Sequence, residues 1–348
     1  MFYMYSNFTN KHEQLSASMD TPVLIVMIDT EEEFSWSTIS RENTSTKSIK
    51  SQIHAHEIFD QFDVIPTYFV DYPVANSTEA SSFLKEMRDN NKCEIGAHLH
   101  PWVNPPHEEE VSVFNSFHGN LPFELEQKKI KELTKIIEHA FDIKPTMFKA
   151  GRYGIGPNTI DILKQEGYLI DSSYVPYTSF QHSSGPSFLG VPDQPFWIDE
   201  ENKFLEVPLS KNFYGILSRF GLGPAFQSVY DNPVYNRWHI PGILSRLGLT
   251  RCVLSPEGMT LNELQKLMDS MIARGKKVFC LTYHSPSLAP GNTPYVKTKE
   301  DLELFLATIR KVLEYFRKNI KGKFISTSQL YCLLQKNKKG YDTELPSI

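Results

Sequence analysis

The chain lacks several features that mark particular classes of protein. It has only four cysteines among 348 residues and no Cys-x-x-Cys pair. Scattered cysteines argue against a disulfide framework and favour reduced thiols, as in a cytoplasmic protein. The first 20 residues contain no basic segment followed by a long apolar core, so we expect no signal peptide. The longest apolar run, at residues 22–28, is too short for a bilayer, and we expect no integral membrane segment.

Positive charge is not in excess either. The formal net charge is -5, so we expect no nucleic-acid partner. The short basic cluster KNKKG, at residues 336–340, is typical of a solvated tail. Hydrophobic residues make up 40% of the chain, which is ordinary for a globular protein with a large core. The sequence leaves the oligomeric state open.

The chain does contain a regular alternation of apolar strand patterns and amphipathic helices. The run VLIVMID at 23–29 is continuously apolar and rich in β-branched residues, as in a strand buried on both faces. Helical spacing follows at 49–62 and again at 122–141, and further strand and helix patterns alternate along the chain. Seven or eight such units predict a parallel sheet in a distorted (β/α) barrel. A doubly wound open sheet is the competing α/β fold.

One domain accounts for most of the sequence, because no low-complexity linker divides it. We expect the barrel to span residues 21–335. Residues 1–20 are predicted to be irregular, and residues 336–348 are predicted to form a polar tail. Residues 211–250 combine Gly, Pro and aromatic residues without a clean period, which predicts short helices and loops.

Two histidines end the third strand pattern. The segment EIGAHLHPW covers residues 94–102 and places His98 and His100 two positions apart. On a strand, residues two apart point to the same side, so the two rings are expected to face one point. This arrangement suits two ligands of one ion, although two rim histidines bonded to the protein are the alternative.

Other strand patterns also end in reactive side chains. In a parallel barrel, the carboxyl ends of the strands and the following loops build the site. Asp29 and Glu31, again two residues apart, end the first strand, and His284 ends the seventh. The other strand ends contribute Asp71, Lys149, Arg152 and Asp171. Carboxylates, imidazoles and cations are therefore expected to meet at one rim.

This set of side chains has a definite chemistry. Two imidazoles and a carboxylate with open positions commonly hold a reactive divalent metal ion. Such an ion lowers the pKa of bound water and polarises a carbonyl. A second carboxylate can accept the proton of that water, and a histidine opposite can protonate a departing amine. The residues thus indicate metal-assisted hydrolysis of an amide or ester.

Five segments follow one another in a specific order: IDTEE, EIGAHLHPW, FKAGRYG, IDSSY and LTYHSPSL. This order resembles the polysaccharide deacetylase superfamily, carbohydrate esterase family 4, with its chitooligosaccharide deacetylase homology domain. NSFHGNLP and GRYGIGPN resemble a bacterial subgroup associated with polysaccharide-synthesis genes. The resemblance covers about residues 21–335. It implies a distorted (β/α) barrel, one divalent metal ion and removal of N-acetyl groups from amino sugars.

The resemblance implies a metal-ligand set with two departures from the family pattern. Asp29 matches the first of two adjacent aspartates that serve as general base and metal ligand, but Thr30 stands in place of the second. Either Glu31 replaces that ligand or Asp29 binds the metal itself. His98 matches the first metal histidine. The second is expected four residues later, where this chain has tryptophan, so His100 is expected to replace it.

The resemblance also implies catalytic residues. An arginine in the family's third motif orients the catalytic carboxylate. Lys149 and Arg152 both lie near that position, and we favour Arg152 because its planar fork suits a carboxylate. Asp171 matches the fourth motif and is expected to pair with the acid histidine. His284 matches that histidine, the general acid.

The sequence therefore predicts a metal-dependent hydrolase that removes an N-acetyl group from an amino sugar or glycan precursor. Zinc is the first expectation for the ion, with cobalt, nickel, manganese and iron as alternatives. Trp36, Trp102 and Tyr153 are candidates for stacking on the carbohydrate substrate. The expected substrate is a cytosolic sugar intermediate, nucleotide-linked or lipid-linked.

Two other functions stay open. A barrel amidohydrolase acting on a formamide or cyclic amide would need the same metal but would not act on sugars. A non-catalytic carbohydrate-binding relative would explain Thr30 and Trp102 as marks of a degraded site.

Overall fold

A curled sheet of nine strands forms the centre of the molecule. The computed structural model describes residues 19–199 and 203–339, with side chains described to residue 336. The first strand is buried along its whole length, as its apolar sequence predicts. In chain order, the strands of this sheet and of a separate pair are β1 (Val23–Thr30), β2 (Thr67–Val70), β3 (Glu94–Leu99), β4 (Met147–Ala150), β5 (Ile170–Asp171), β6 (Phe196–Trp197), β7 (Leu205–Glu206), β8 (Lys211–Tyr214), β9 (Thr250–Val253), β10 (Val278–His284) and β11 (Lys323–Phe324).

The strand order makes the sheet an incomplete barrel. The order is β10-β1-β2-β3-β4-β5-β7-β6, and β11 pairs with β1. Neighbouring strands are parallel except β6 and β7. Because parallel strands share one direction, the carboxyl ends of β1, β2, β3, β4 and β10 lie at one rim. The distorted (β/α) barrel predicted from the sequence is thereby confirmed.

A seam separates β10 from the β7 side of the sheet. Alternate amides of β10 point into this seam, where a further strand would accept their hydrogen bonds. Their acceptors are instead the Gln194 Oε1 atom for Val278 (3.0 Å), the Ser210 Oγ atom for Cys280 (2.8 Å) and the carbonyl of Leu254 for Thr282 (3.1 Å). Two side chains and one loop carbonyl therefore satisfy the edge of β10.

Helices connect the strands, and their apolar sides contribute to one hydrophobic core with the sheet. In the helix Phe123–Phe141, for example, Leu125, Ile130, Leu133 and Ile137 share the buried side, as their spacing predicts. The helices are α1 (Gln52–Phe62), α2 (Tyr72–Asn76), α3 (Thr78–Asp89), α4 (Phe123–Phe141), α5 (Thr159–Glu166), α6 (Ile216–Arg219), α7 (Leu222–Phe226), α8 (Pro233–Arg237), α9 (Ile240–Arg246), α10 (Leu261–Ala273), α11 (Lys299–Tyr315) and α12 (Thr327–Lys339). In the part of the chain that the structure describes, no helix combines the length and apolarity needed to cross a bilayer.

Local side chains set where two of the long helices begin. Thr260 accepts from the backbone N–H of Glu263, whose side chain bonds back to the Thr260 backbone. Thr298 and Asp301 form the same reciprocal pair before α11. These capping boxes satisfy N–H groups that the first turn of a helix leaves free.

The structure departs from the predicted elements at two places. Residues 211–250 contain the predicted short helices, but also the antiparallel pair β8–β9, which was not predicted. Helix α12 extends to Lys339, so the tail predicted at 336–348 begins inside a helix. Residues 1–18 and 340–348, parts of the predicted terminal segments, lie outside the described residues.

Candidate active site

Glu31, His98 and His100 meet at the rim. The Nε2 atoms of both histidines lie 3.4 Å from the Glu31 Oε2 atom. The ligand atoms of the three residues all lie within 4.8 Å of one another, and all three side chains are buried. The alternation of β3 brings the two rings to one side, as the His-Leu-His spacing predicts.

The hydrogen bonds of the two rings leave a site suited to a cation. The Nδ1 atom of His98 lies 2.9 Å from the Lys149 carbonyl, and that of His100 lies 2.9 Å from the Glu32 Oε2 atom. These acceptors hold the proton on Nδ1, so both Nε2 lone pairs face the Glu31 carboxylate. Burial lowers the pKa of His98 well below its usual range. Because the Glu31 Oε1 atom also has no hydrogen-bond partner among the described residues, the donors present fit a divalent metal ion.

A second buried layer holds His100. Glu32 accepts from the Trp102 Nε1 atom (3.0 Å), and the indole stacks on the His100 ring with the centroids 4.3 Å apart. The backbone N–H of Glu32 in turn donates to Asp71 at 2.7 Å. Glu32 had no predicted role, because the two-residue spacing from Asp29 points to Glu31 and gives no sign that the next glutamate is buried as well.

Trp102, predicted to stack on the substrate, also contacts a candidate metal ligand, and its substrate role stays a prediction. Trp102 is buried, and His100 covers one face of its ring. It therefore positions a candidate ligand. Thr30, at the other departure from the family pattern, donates to the Ile28 carbonyl of its own strand (3.0 Å).

Asp29 pairs with a lysine at the bottom of the site. Lys149 Nζ donates to the Asp29 Oδ1 atom, and both side chains are buried. Burial alone would raise the pKa of Asp29, but the charges of Lys149 and His284 lower it below its usual range. Asp29 is therefore held as a carboxylate.

The preference for Arg152 as the partner of Asp29 was wrong. Arg152 has a φ of +54°, and its guanidinium lies 4.7 Å from the centre of the Phe117 ring. Lys149 lies within β4, paired in register with His98, and its side chain reaches into the site. Arg152 lines the wall of the cavity instead.

His284 faces Asp29 from the end of β10. Its Nε2 atom lies 3.7 Å from the Asp29 Oδ2 atom, and its Nδ1 atom lies 2.7 Å from the Glu257 Oε2 atom. Burial lowers the pKa of His284, but the charge and hydrogen bond of Glu257 outweigh it and the net shift is upward. Glu257 also accepts from the His284 backbone N–H (3.0 Å) and from Ser287 (2.5 Å). An imidazole whose pKa is raised is thus placed beside a carboxylate.

The predicted pairing of Asp171 with His284 is not what the structure shows, because Glu257 makes that contact. Asp171 accepts from Ser173 Oγ at 2.5 Å and faces the buried carboxyl group of Glu206. Burial raises the pKa of Asp171 to about 6. Ser173 accepts from the backbone N–H of Ala150, so Asp171 supports the turn that follows β4.

A cavity of about 660 Å³ opens above these groups. Trp36 and Tyr153 line it as predicted for substrate contacts, although no substrate role follows from lining alone. Trp36 lies edge-on to His284 with the ring centroids 5.0 Å apart, and Tyr153 stacks on Phe180 at 5.7 Å. The wall is mixed apolar and hydroxyl, and the aromatic residues that line it are Phe34, Trp36, Trp102, Phe117, Tyr153, Phe180 and Tyr295.

Comparisons with known proteins place this arrangement in a fold class. No family model matches the sequence, and a search of curated proteins finds no match. Among solved structures, a Mycobacterium smegmatis protein described as a polysaccharide deacetylase matches with a TM-score of 0.55 and 16% identity. The match covers 94% of this chain and 95% of that one. A probable polysaccharide deacetylase from Pseudomonas aeruginosa PAO1 matches with a TM-score of 0.52 and 14% identity, over 90% and 91%. The Puue allantoinase matches with a TM-score of 0.51 and 15% identity, over 97% and 95%.

These likenesses define the fold. The chain is a distorted (β/α) barrel of the kind found in polysaccharide deacetylases, as the order of its motifs predicted. The narrower resemblance to a bacterial subgroup stays a prediction.

Proposed function

We propose that the protein is a metal-dependent hydrolase that removes an N-acetyl group from an amino sugar or a glycan precursor. One observation carries this proposal. Asp29 and His284 face each other at 3.7 Å, each held by its own charged partner, beside the cation-ready group Glu31, His98 and His100. A paired base and acid next to such a group suits hydrolysis of an amide.

The metal would be held by Glu31, His98 and His100. When bound, a divalent ion supplies Lewis-acid chemistry, since it lowers the pKa of water and polarises a carbonyl. Zinc is the first candidate, followed by cobalt, nickel, manganese and iron. Because Glu31 contacts both histidines, we assign Glu31 as the third metal ligand and Asp29 as the general base.

Asp29 accepts the proton of the attacking water. Lys149 keeps the carboxylate ionised and fixes its Oδ1 atom, which leaves the Oδ2 atom facing His284. This arrangement places the proton acceptor at the edge of the cavity.

His284 delivers a proton to the departing amine. Glu257 anchors the Nδ1 side of the ring and favours the imidazolium form, so the Nε2 proton points towards Asp29 and the cavity. The proton acceptor and the proton donor lie 3.7 Å apart at the edge of one cavity, so both can reach the same substrate bond. Amide hydrolysis requires such a proton donor in addition to the base, because an amine leaves only when protonated.

The proposed substrate is a carbohydrate. The cavity of about 660 Å³ falls in the range of small-ligand sites, and Trp36 and Tyr153 offer ring surfaces in its wall. We propose a cytoplasmic location and a nucleotide-linked or lipid-linked amino sugar, rather than a finished wall polymer.

Hydrolysis of a cyclic amide is the second candidate. An allantoinase shares the fold over nearly all of both chains. The same acid, base and metal group would serve that reaction. A non-catalytic carbohydrate-binding role is less favoured, because Asp29 and His284 each keep a charged partner.

The proposal is tested by metal content and by acetate release. Purified protein is expected to hold about one divalent ion per chain by mass spectrometry, and His98→Ala is expected to lose it. The exposed His54 provides a matched control, and His54→Ala should keep the ion. Loaded enzyme is then offered N-acetylated sugar oligomers, nucleotide-linked N-acetylhexosamines and allantoin.

The outcomes separate the candidates. Acetate release that requires both the ion and His284 supports the deacetylase. Turnover of the cyclic amide alone supports the second candidate. If the purified protein binds no ion after incubation with zinc, cobalt or nickel, both enzymatic proposals are wrong.

A further inference from the structure

The helices between β8 and β9 expose an unusual number of apolar side chains. These helices, α6 to α9 at residues 216–247, are called the helical block here. Phe220 is 75% exposed and Trp238 is 71% exposed. The other exposed apolar residues of the block are Ile216, Phe226, Val234, Tyr235, Ile243 and Leu247. Scattered apolar side chains are ordinary on a protein surface, but such a concentration marks an interaction site.

The block has a separate inner side that holds it to the molecule. Leu244 is buried with Phe213 and Leu249 in a small core, and Leu217 and Ile240 pack against it. The exposed apolar residues are therefore not needed for the core that attaches the block to the molecule. They form a second apolar side, which no other described part of the chain covers.

Helical spacing groups the exposed residues into pairs. Ile216 and Phe220 are four apart, and so are Val234 and Trp238, and Ile243 and Leu247. Residues four apart lie on the same side of a helix. Every residue from 232 to 239 is exposed, so the other helices of the block do not cover α8.

The charges around this apolar surface have one sign. Arg219, Arg237 and Arg246 are exposed, and none of them forms an ion pair with another described residue. The only acidic residue of the block, Asp231, is already engaged by Arg251 through two hydrogen bonds. The whole chain carries a net charge of -5, so this basic surface stands against the average of the molecule.

We propose that the helical block is an interfacial membrane-binding surface that docks on an anionic lipid bilayer. Aromatic and aliphatic side chains enter the region of the lipid headgroups, and the three arginines bind lipid phosphates. Arginine beside exposed tryptophan also occurs at protein interfaces. Residues 216–247, however, contain only short helices and turns, and no strand whose edge a partner chain could extend. Unpaired charges of one sign around an apolar surface match an anionic bilayer.

The block is attached to the wall of the cavity. Asp231 accepts from the backbone N–H of Ser179 at 2.9 Å, and the next residue, Phe180, lines the cavity. Docking on a membrane would therefore hold the loop that carries Phe180 close to the lipid surface. This inference does not depend on the proposed deacetylase activity.

Vesicle flotation tests the proposal with the full chain. The protein is mixed with phosphatidylcholine vesicles with and without phosphatidylglycerol. We expect binding only to the anionic vesicles, weakened by high salt. The double variant Phe220→Ser and Trp238→Ser, and separately the triple variant Arg219→Gln, Arg237→Gln and Arg246→Gln, should each lower the affinity by about tenfold or more.

Two controls match these variants. Leu304→Ser removes a 68% exposed leucine from α11, and Lys299→Gln, Lys311→Gln and Lys318→Gln remove exposed charge elsewhere. Both controls should bind like the wild type, and unchanged thermal unfolding shows that each variant is folded. Failure of the wild type to bind anionic vesicles overturns the proposal. So does a dimer in analytical ultracentrifugation that Trp238→Ser abolishes, because the block would then be an interface between copies of the chain.

Discussion

At the scale of single residues, the candidate site depends on partners that fix the charge of each reacting group. Lys149 keeps Asp29 ionised, and Glu257 favours the protonated form of His284. Glu32 and the Lys149 carbonyl fix the tautomers of the two candidate ligands. Each of these partners is buried, so its effect is not weakened by water or salt.

The pH dependence of activity should report the pairing of His284 with Glu257. Because Glu257 raises the pKa of His284, Glu257→Gln should lower that pKa. The acid must be protonated to act, so the basic limb of the profile of kcat/KM should move to lower pH, with a loss of about tenfold or more at neutral pH. Steady-state rates over a range of pH measure this.

The exposed Glu138 supplies the control for this change, and Glu138→Gln should leave the profile in place. A lower rate in Glu257→Gln with an unshifted basic limb would contradict the assignment of His284 as the acid.

The sequence indicates the reacting side chains better than their partners. Asp29, His98, His100 and His284 stand at strand ends, where topology alone brings them to one rim. Glu257 follows β9, a strand outside the main sheet, so no strand-end argument reaches it.

Whether Lys149 or Arg152 pairs with Asp29 depends on the direction of the chain after β4. A left-handed φ at Arg152 turns the chain before its side chain can reach Asp29, and the residue types alone do not predict that turn. The sequence did offer one signal for Lys149. It lies inside a strand pattern, two positions before Gly151, so its side chain could be expected to point into the site.

At the scale of elements, the site depends on how closely the ends of β3 and β4 approach each other. Gly151 begins the turn after β4, directly beside the His100 ring. An added Cβ at this glycine would lie 2.2 Å from His100 Cδ2 and 2.5 Å from the Leu99 carbonyl oxygen. Only a residue without a side chain permits this contact.

Replacement of this glycine should therefore damage both the site and the fold. Gly151→Ala is expected to displace His100, weaken metal binding and destabilise the protein by about 1–3 kcal/mol. Chemical denaturation and metal titration measure the two effects. Gly242→Ala is the control, because a Cβ there meets nothing within 4 Å. Normal metal affinity in Gly151→Ala would show that the turn can shift without moving His100.

The bounds of long elements were predictable, and those of short elements were not. The strand at 23–29 and the helix at 122–141 have enough apolar positions to define a period, and the structure confirms both within one residue. β5 and β7 have two residues each, and β6 was not predicted. Such strands exist because neighbouring chain segments supply the hydrogen bonds, and a short sequence pattern carries no record of that.

At the scale of the whole molecule, a buried pair of acids makes stability depend on pH. Asp171 and Glu206 are fully buried, and burial raises the pKa of both carboxyl groups. Asp171 Oδ2 and Glu206 Oε2 have no hydrogen-bond partner among the other described residues. One proton held between the two groups satisfies both oxygens.

The pair should make the protein less stable as the pH rises. The pKa of Asp171 is about 6 in the folded protein against 3.8 as its ordinary value, so the folded state binds more protons between these values. The stabilisation is present below the ordinary pKa and is lost as the pH rises through about 6. Asp171→Asn should remove on the order of 3 kcal/mol of this pH dependence.

Urea unfolding on both sides of this window measures the effect. The exposed Asp161 gives the matched control, and Asp161→Asn should keep the wild-type dependence. An unchanged pH dependence in Asp171→Asn would mean that Glu206 or another group holds the proton.

The seam beside β10 has a consequence for the motions of the barrel. Amide exchange at most strands reports the separation of two backbones, whereas Val278 and Cys280 are protected by the side chains of Gln194 and Ser210. A change of rotamer in either side chain therefore exposes these amides without separating any pair of strands. Since His284, the proposed proton donor, ends the same strand, exchange of these amides would report local opening beside the candidate site while the rest of the sheet stays paired.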